Sequence, residues 1–224
     1  MDTACASCHH PALGGGDALA MPVGTGAVDP DVVGPGRARA DGLPNVGRHS
    51  QSVFNVGLYD TAMFWDSRVE SIGKEAGQNG TGSGIRTPET ALHVADPLVT
   101  PGSSLVAAQA RFPVVVPEEM LGSFMPGASP EAIRQRLAER IGDYGAGAGE
   151  LPNNNWLAEF QAAFASAAPA EQLITFDNIA LALGEYQRSM VFVDTPWKAY
   201  VQGDNSAIST SAKRGALLFY GDLN

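Results

Sequence analysis

The chain has 224 residues, of which 44% are hydrophobic and 17% charged, a balance that suits a folded globule with a buried core and excludes a disordered chain. Its net charge of −10 argues against nucleic acid as a partner, because phosphates call for Lys and Arg. No apolar run reaches the roughly 20 residues of a bilayer span. Candidates such as Phe112 to Val116 are interrupted by Pro113 and Pro117, so no membrane span is expected.

In chain order, the residues Met1 to Cys5 carry neither the basic nor the apolar region of a secretion signal, so any such signal is expected to have been removed. Both cysteines then fall in one run, Cys5-Ala6-Ser7-Cys8-His9, the C-x-x-C-H pattern of c-type haem attachment. Thiols at this spacing can add to the two vinyl groups of one porphyrin, and the adjacent imidazole then lies beneath the iron as its proximal ligand. A redox dithiol and half of a zinc site also use C-x-x-C. Zinc needs two more N or S ligands, while His49 and His93 stand isolated; a dithiol usually follows a strand in a βαβ unit, which the Gly-rich start does not offer. Covalent haem implies export to an oxidising compartment. His10 is a surface or propionate-side histidine, since helical neighbours point about 100° apart and cannot both face one iron.

The 26 glycines and 15 prolines concentrate in Gly14 to Gly47 and Gly73 to Gly102, so the first half reads as loops wrapped around something other than their own side chains, a place a haem would fill. The second half reads as helices. Ser129 and Pro130 supply an N-cap and first position for Ile133, Leu137 and Ile141, stopped by Gly142. Trp156, Phe160 and Phe164 repeat that spacing up to Pro169. Thr175 caps a stripe of Phe176, Ile179, Leu183, Tyr186 and Met190, and Ser209 caps a last helix with Ala212, Ala216 and Phe219 inward. No useful alternating strand pattern occurs, so the fold class is all-α with long Gly/Pro-rich loops.

The ordered blocks Cys5 to His9, Arg48-His-Ser-Gln-Ser-Val-Phe-Asn55, Phe64-Trp-Asp-Ser-Arg68 and Gln109-Ala-Arg-Phe-Pro-Val-Val-Val-Pro-Glu-Glu119-Met120 resemble the bacterial di-haem cytochrome c peroxidases and their MauG-like relatives. Ile174 to Leu183 and Ala212 to Phe219 are similar to the segments that join the family's first haem domain to its second. The resemblance implies a cytochrome c-like, peroxidatic-type haem domain over residues 1–205, with a loop insertion at about 70–108, and the start of a second cytochrome c domain at 206–224. The chain starts four residues before Cys5 and stops at Asn224, about where a second C-x-x-C-H is expected, so it reads as part of something longer with a second haem c beyond it.

The resemblance further implies Cys5, Cys8 and His9 as the haem-binding set with His9 on the iron, Glu119 as the acid/base that moves a proton between the peroxide oxygens, and Gln109 as the residue that orients peroxide or water. Glu118 is a rival to Glu119. Trp65 is implied as an electron relay between the haems, and Arg48 and Arg68 as partners of the propionates or of Asp66. Thr25 falls where the family carries a distal histidine, so the sixth iron position is expected to be open unless Met21 fills it. His49 falls where an asparagine helps to hold calcium, which leaves calcium doubtful. The insertion is expected to shape substrate access or a partner contact, and its His93 is a remote alternative iron ligand. The implied activity is periplasmic reduction of hydrogen peroxide with electrons from a small cytochrome c or cupredoxin. The alternatives are a MauG-like oxidation of a protein side chain or small molecule, and a non-catalytic electron carrier; the chain admits a homodimer.

Overall fold

The computed structural model describes residues 1–73, 84–100 and 103–221, arranged in two compact units, Met1–Met190 and Val191–Asn224. The chain is mostly helical, as the sequence pattern predicts, with one small sheet. In the first unit, α1 (Cys5–Cys8) is a single turn. The Ser7 hydroxyl accepts the Ala4 N–H at 3.1 Å, and the His9 N–H donates to the Cys5 carbonyl at 2.9 Å. That turn presents both cysteines and delivers His9 at its end.

Three short strands, β1 (Ala62–Met63), β2 (Val69–Ser71) and β3 (Ile85–Arg86), form an antiparallel sheet in that order, pairing Met63 with Val69 and Ser71 with Ile85. The sequence reading contains no strand here because runs of two or three residues cannot display a period of two. Helix α2 (Leu105–Gln109), capped by the Ser104 hydroxyl, packs on β1 and β2. Val56, Met63, Val69, Ile85, Val99, Leu105, Val106, Ala108 and Phe112 form a core of their own. The expectation that the whole glycine-rich half encloses a foreign core is therefore corrected for residues 51–112. It fits residues 1–50, where Val23 is the hydrophobic side chain buried among the described residues, apart from Pro22 and Gly or polar positions.

The larger core joins α3 (Pro130–Gly142), α4 (Trp156–Ala163), α5 (Ala170–Leu173) and α6 (Phe176–Ser189) through Ile133, Leu137, Phe160, Leu173, Ile174, Phe176 and Ile179. Ser129 and Thr175 cap α3 and α6, accepting the N–H of Ala132 and Asn178, each at 3.2 Å. On α6 the buried face is Phe176, Ile179, Ala180 and Gly184, and Tyr186 is exposed rather than part of the stripe. Gly184 sets that face. A Cβ there would stand 2.9 Å from the Ala107 backbone, so only glycine lets α6 approach α2 this closely.

Within the 70–108 segment, residues 74–83, including Gln78, and 101–102 lie outside the described residues. The described part is firmly built. Thr87 Oγ1 donates to Asp96 Oδ2 at 2.5 Å, and Glu89 receives a bidentate pair from Arg134 of α3 at 2.5 and 2.9 Å. Arg134 is 0% exposed, so Glu89→Ala strands a buried cation, with Glu131 at 3.8 Å as its remaining carboxylate among the described residues. Denaturant unfolding is expected to show a loss of about 3 kcal/mol. His93 lies on this segment's surface, 3.6 Å from Glu70.

The second unit contains α7 (Pro196–Val201) and α8 (Thr210–Tyr220), capped by Thr195 and Ser209. Trp197 stacks on Tyr220 at 5.5 Å and Lys213 lies 5.3 Å over the Tyr200 ring. The face of α8 turned to α7 is therefore Lys213, Ala216 and Tyr220. The inward set of Ala212, Ala216 and Phe219 is corrected, since Ala212 and Phe219 are exposed. Two short helices offer one packing seam, and the aromatic stack selects it.

Candidate functional site

His9 stands at the end of α1 with its Nδ1 3.3 Å from the Gly15 carbonyl and 3.3 Å from Ser50 Oγ. Ser50 Oγ donates its own proton to the Cys8 carbonyl at 2.6 Å, so the network assigns the imidazole proton to Nδ1 and leaves the Nε2 lone pair free. Burial lowers the His9 pKa, against the opposing effect of the Gly15 and Gln51 backbone, and so favours the neutral ring a metal ligand must have. Cys5 is exposed and Cys8 half-buried. Burial, reinforced by the charge of Asp17, pushes the Cys8 thiol up to about 11. A redox dithiol needs the opposite, a stabilised thiolate.

The Gly-rich loop after α1 is held by residues that periodicity could not reveal. Arg37, 3% exposed, donates to the carbonyls of Val23 (2.7 Å), Gly24 (2.8 Å), Pro30 (2.9 Å) and Val32 (3.0 Å). Asn45 accepts the Gly24 N–H at 2.9 Å and donates to the carbonyls of Thr25 (3.0 Å) and Glu118 (3.2 Å). The signal available in the sequence was only an arginine and an amide inside a segment poor in other long side chains.

This loop seats the π-helical turn Pro117–Leu121 that carries Glu119. Thr25, the residue at the expected distal-histidine position, donates its hydroxyl to the Pro117 carbonyl at 2.9 Å and its N–H to the Glu118 carbonyl at 3.0 Å. Gly24 makes the approach possible: a Cβ there would lie 2.0 Å from the Glu118 carbonyl oxygen. Gly24→Ala is expected to cost about 1–3 kcal/mol by overpacking, read as a lower melting temperature.

Glu119 is half-buried and its carboxyl pKa is raised, chiefly by burial and also by Glu118, with Arg68 opposing. Its charge is felt at Cys8 as well. Cys8, Glu119 and Arg68 therefore share one electrostatic neighbourhood, while Glu118 is exposed. Arg68 pairs with Asp66 at 3.1 Å and lies 3.8 Å over the Phe64 ring; Arg48 lies 4.4 Å over Trp65, which is 71% exposed. Phe64 and Ser67 both have positive φ, 65° and 54°, so the turn from β1 to β2 holds two residues in a conformation that costs about 1–3 kcal/mol each. Gln109, half-buried, ends α2, the helix packed on this hairpin. His49 Nδ1 meets the Leu19 carbonyl at 2.8 Å.

Among the described residues no group of three or more His, Cys, Asp or Glu side chains is arranged to hold a bare metal ion. The residues present do fit a haem: two cysteines on one turn, a neutral histidine with Nε2 free, and fifty surrounding residues with little apolar core of their own. No described helix is long and apolar enough to cross a membrane.

Two curated relatives resemble nearly the whole chain. The methylamine utilization protein MauG of Methylorubrum extorquens is 27% identical over 97% of the chain and 40% of its own length, and the cytochrome c551 peroxidase of Pseudomonas aeruginosa is 26% identical over 96% of the chain and 41% of its own length. The chain thus spans about two-fifths of the length of these relatives. The family described as di-haem cytochrome c peroxidase matches residues 1–206. With that match over most of its length, the chain belongs to the di-haem cytochrome c peroxidase family, a family of haem c oxidoreductases.

Proposed function

We propose that the chain is the haem-binding portion of a periplasmic peroxidase that reduces hydrogen peroxide to water, with electrons from a small cytochrome c or cupredoxin relayed through a second haem. Residues 1–205 act as the peroxidatic-type domain and 206–224 open the next. The supporting observation is Glu119: a half-buried carboxyl with a raised pKa, seated by the loop that follows the cysteine turn and electrostatically coupled to Cys8.

In this reading Cys5 and Cys8 would hold the haem through their sulfurs and His9 Nε2 would bind its iron. When bound there, the haem would supply the electrons for breaking the O–O bond. Glu119 takes a proton from one peroxide oxygen and hands it to the other, so that the second leaves as water instead of hydroxide. Gln109 orients the peroxide by hydrogen bonding, and Arg48 and Arg68 serve as the cations that neutralise the propionates. The net charge of −10 favours a basic or neutral electron donor.

The sign of the pH dependence follows from the base role. Glu119 must start deprotonated, so turnover falls as pH drops through its raised pKa. Arg68 holds that pKa down. Arg68→Gln is therefore expected to move the acid limb of kcat/KM to higher pH, and Glu119→Gln to abolish it, both measurable in a pH-rate profile.

Steady-state assay of the full-length protein with peroxide and reduced cytochrome c tests the proposal. Sustained turnover above that of free haem is expected, and none would reject it. One observation favours the MauG-like reading: Trp65 is exposed, where an indole can pass an oxidising equivalent to a bulky substrate. That reading predicts a persistent two-electron-oxidised state and poor turnover with donors. A six-coordinate low-spin ferric spectrum lacking peroxide reactivity would instead indicate an electron carrier.

A further inference from the structure

We infer that Asp17 sets the reduction potential of the haem, its buried carboxylate acting as a fixed negative charge that favours the ferric over the ferrous state. The inference rests on the reading that haem is anchored at Cys5, Cys8 and His9.

Asp17 is 1% exposed. One carboxylate oxygen, Oδ1, accepts the Leu19 N–H at 3.0 Å; the other, Oδ2, is buried and has no hydrogen-bond partner among the described residues. The residue is placed beside the ligand turn by backbone pairing. The His10 N–H donates to the Gly16 carbonyl at 2.9 Å, and the His9 imidazole meets the Gly15 carbonyl two residues before Asp17. Both His9 and Cys8 feel its charge. The buried guanidinium of the same loop, Arg37, directs its hydrogen bonds to four backbone carbonyls and Thr3, and none to Asp17.

A buried carboxylate with an unsatisfied oxygen is costly, and such exceptions gather where a site uses them. Toward an iron held by His9, a negative charge in a low-dielectric setting would oppose the gain of an electron on reduction. No bond forms or breaks in the change; one electron from the titrating reductant converts ferric to ferrous haem. Nothing in Glu119's role requires Asp17, and the effect is separable from turnover.

The test is a spectroelectrochemical titration of the haem-loaded protein with Asp17→Asn and Asp17→Ser, which remove the charge while leaving an oxygen for the Leu19 N–H, and Asp17→Glu, which keeps the charge. Both neutral variants are expected to shift the one-electron equilibrium at least fivefold toward the ferrous form, with Asp17→Glu within twofold of the parent. A shift under fivefold, or one toward the ferric form, overturns the inference. So does loss of haem from both neutral variants while Asp17→Glu retains it, because the side chain would then serve the fold. Failure of the underlying reading has a different signature: the parent protein itself would carry no haem to titrate.

Discussion

Glu119→Gln is expected to lower peroxide turnover by about 10²–10⁴-fold, the usual worth of a positioned acid/base, with haem content unchanged. The amide keeps the size and the hydrogen-bonding shape of the carboxyl but cannot take a proton from one oxygen and return it to the other. The neighbouring Glu118 cannot replace it. Glu118 is exposed where Glu119 is half-buried, and its backbone carbonyl is the shared acceptor for Thr25 and Asn45, which fixes the turn. Glu118→Gln should therefore leave turnover within about twofold, well under one kcal/mol of transition-state stabilisation. Stopped-flow mixing with peroxide separates the variants: the first spectral change slows in Glu119→Gln and keeps its rate in Glu118→Gln.

The double variant Cys5→Ala, Cys8→Ala is expected to abolish covalent haem on residues 1–224. α1 is one turn, so its two thiols are the only sulfur nucleophiles this chain can offer a porphyrin, the sequence having no other cysteine. His9 alone can still coordinate iron, but a single ligand bond exchanges, whereas a thioether does not. In a proteolytic map, the peptide spanning Cys5 to His9 should lose its covalent porphyrin, and acid solvent should extract whatever pigment this site still holds. The single variants differ in exposure: Cys8 is half-buried against the Val23 carbonyl and Cys5 is exposed.

What was legible in the sequence was local. The Cys5-to-His9 spacing, and the Ser129, Thr175 and Ser209 caps, each follow from chemistry within four residues, and all three caps accept the expected N–H. The helical class followed from the 3.6-residue period, and the family from blocks in fixed order. Contacts made across the chain were not legible. Arg37 and Asn45 act on carbonyls brought together by loop folding, and a Gly/Pro-rich segment carries no period that would single them out. The face of α6 is rotated away from Tyr186 because Gly184 meets Ala107, a residue far away in sequence. Nothing in the sequence singles out Asp17; its burial and its unmatched oxygen are properties of three dimensions only.

For the candidate site the division is similar. Glu119 came to notice by its place before Met120 in a family block, yet its raised pKa depends on burial by the turn Pro117–Leu121 and the loop at Gly24. Trp65 and Arg48 were singled out separately, and the cation over the indole joins them. That stacking also bears on the relay role, since a positive charge 4.4 Å from the ring makes removal of an electron from it harder.

The most direct measurement is the intact mass and the tryptic map of the purified protein. A peptide spanning Cys5 to His9 that carries one porphyrin through both sulfurs, and keeps it in acid, is the predicted result. The same peptide recovered with two alkylatable thiols and no porphyrin, from protein made with functional haem-ligation machinery, would contradict it.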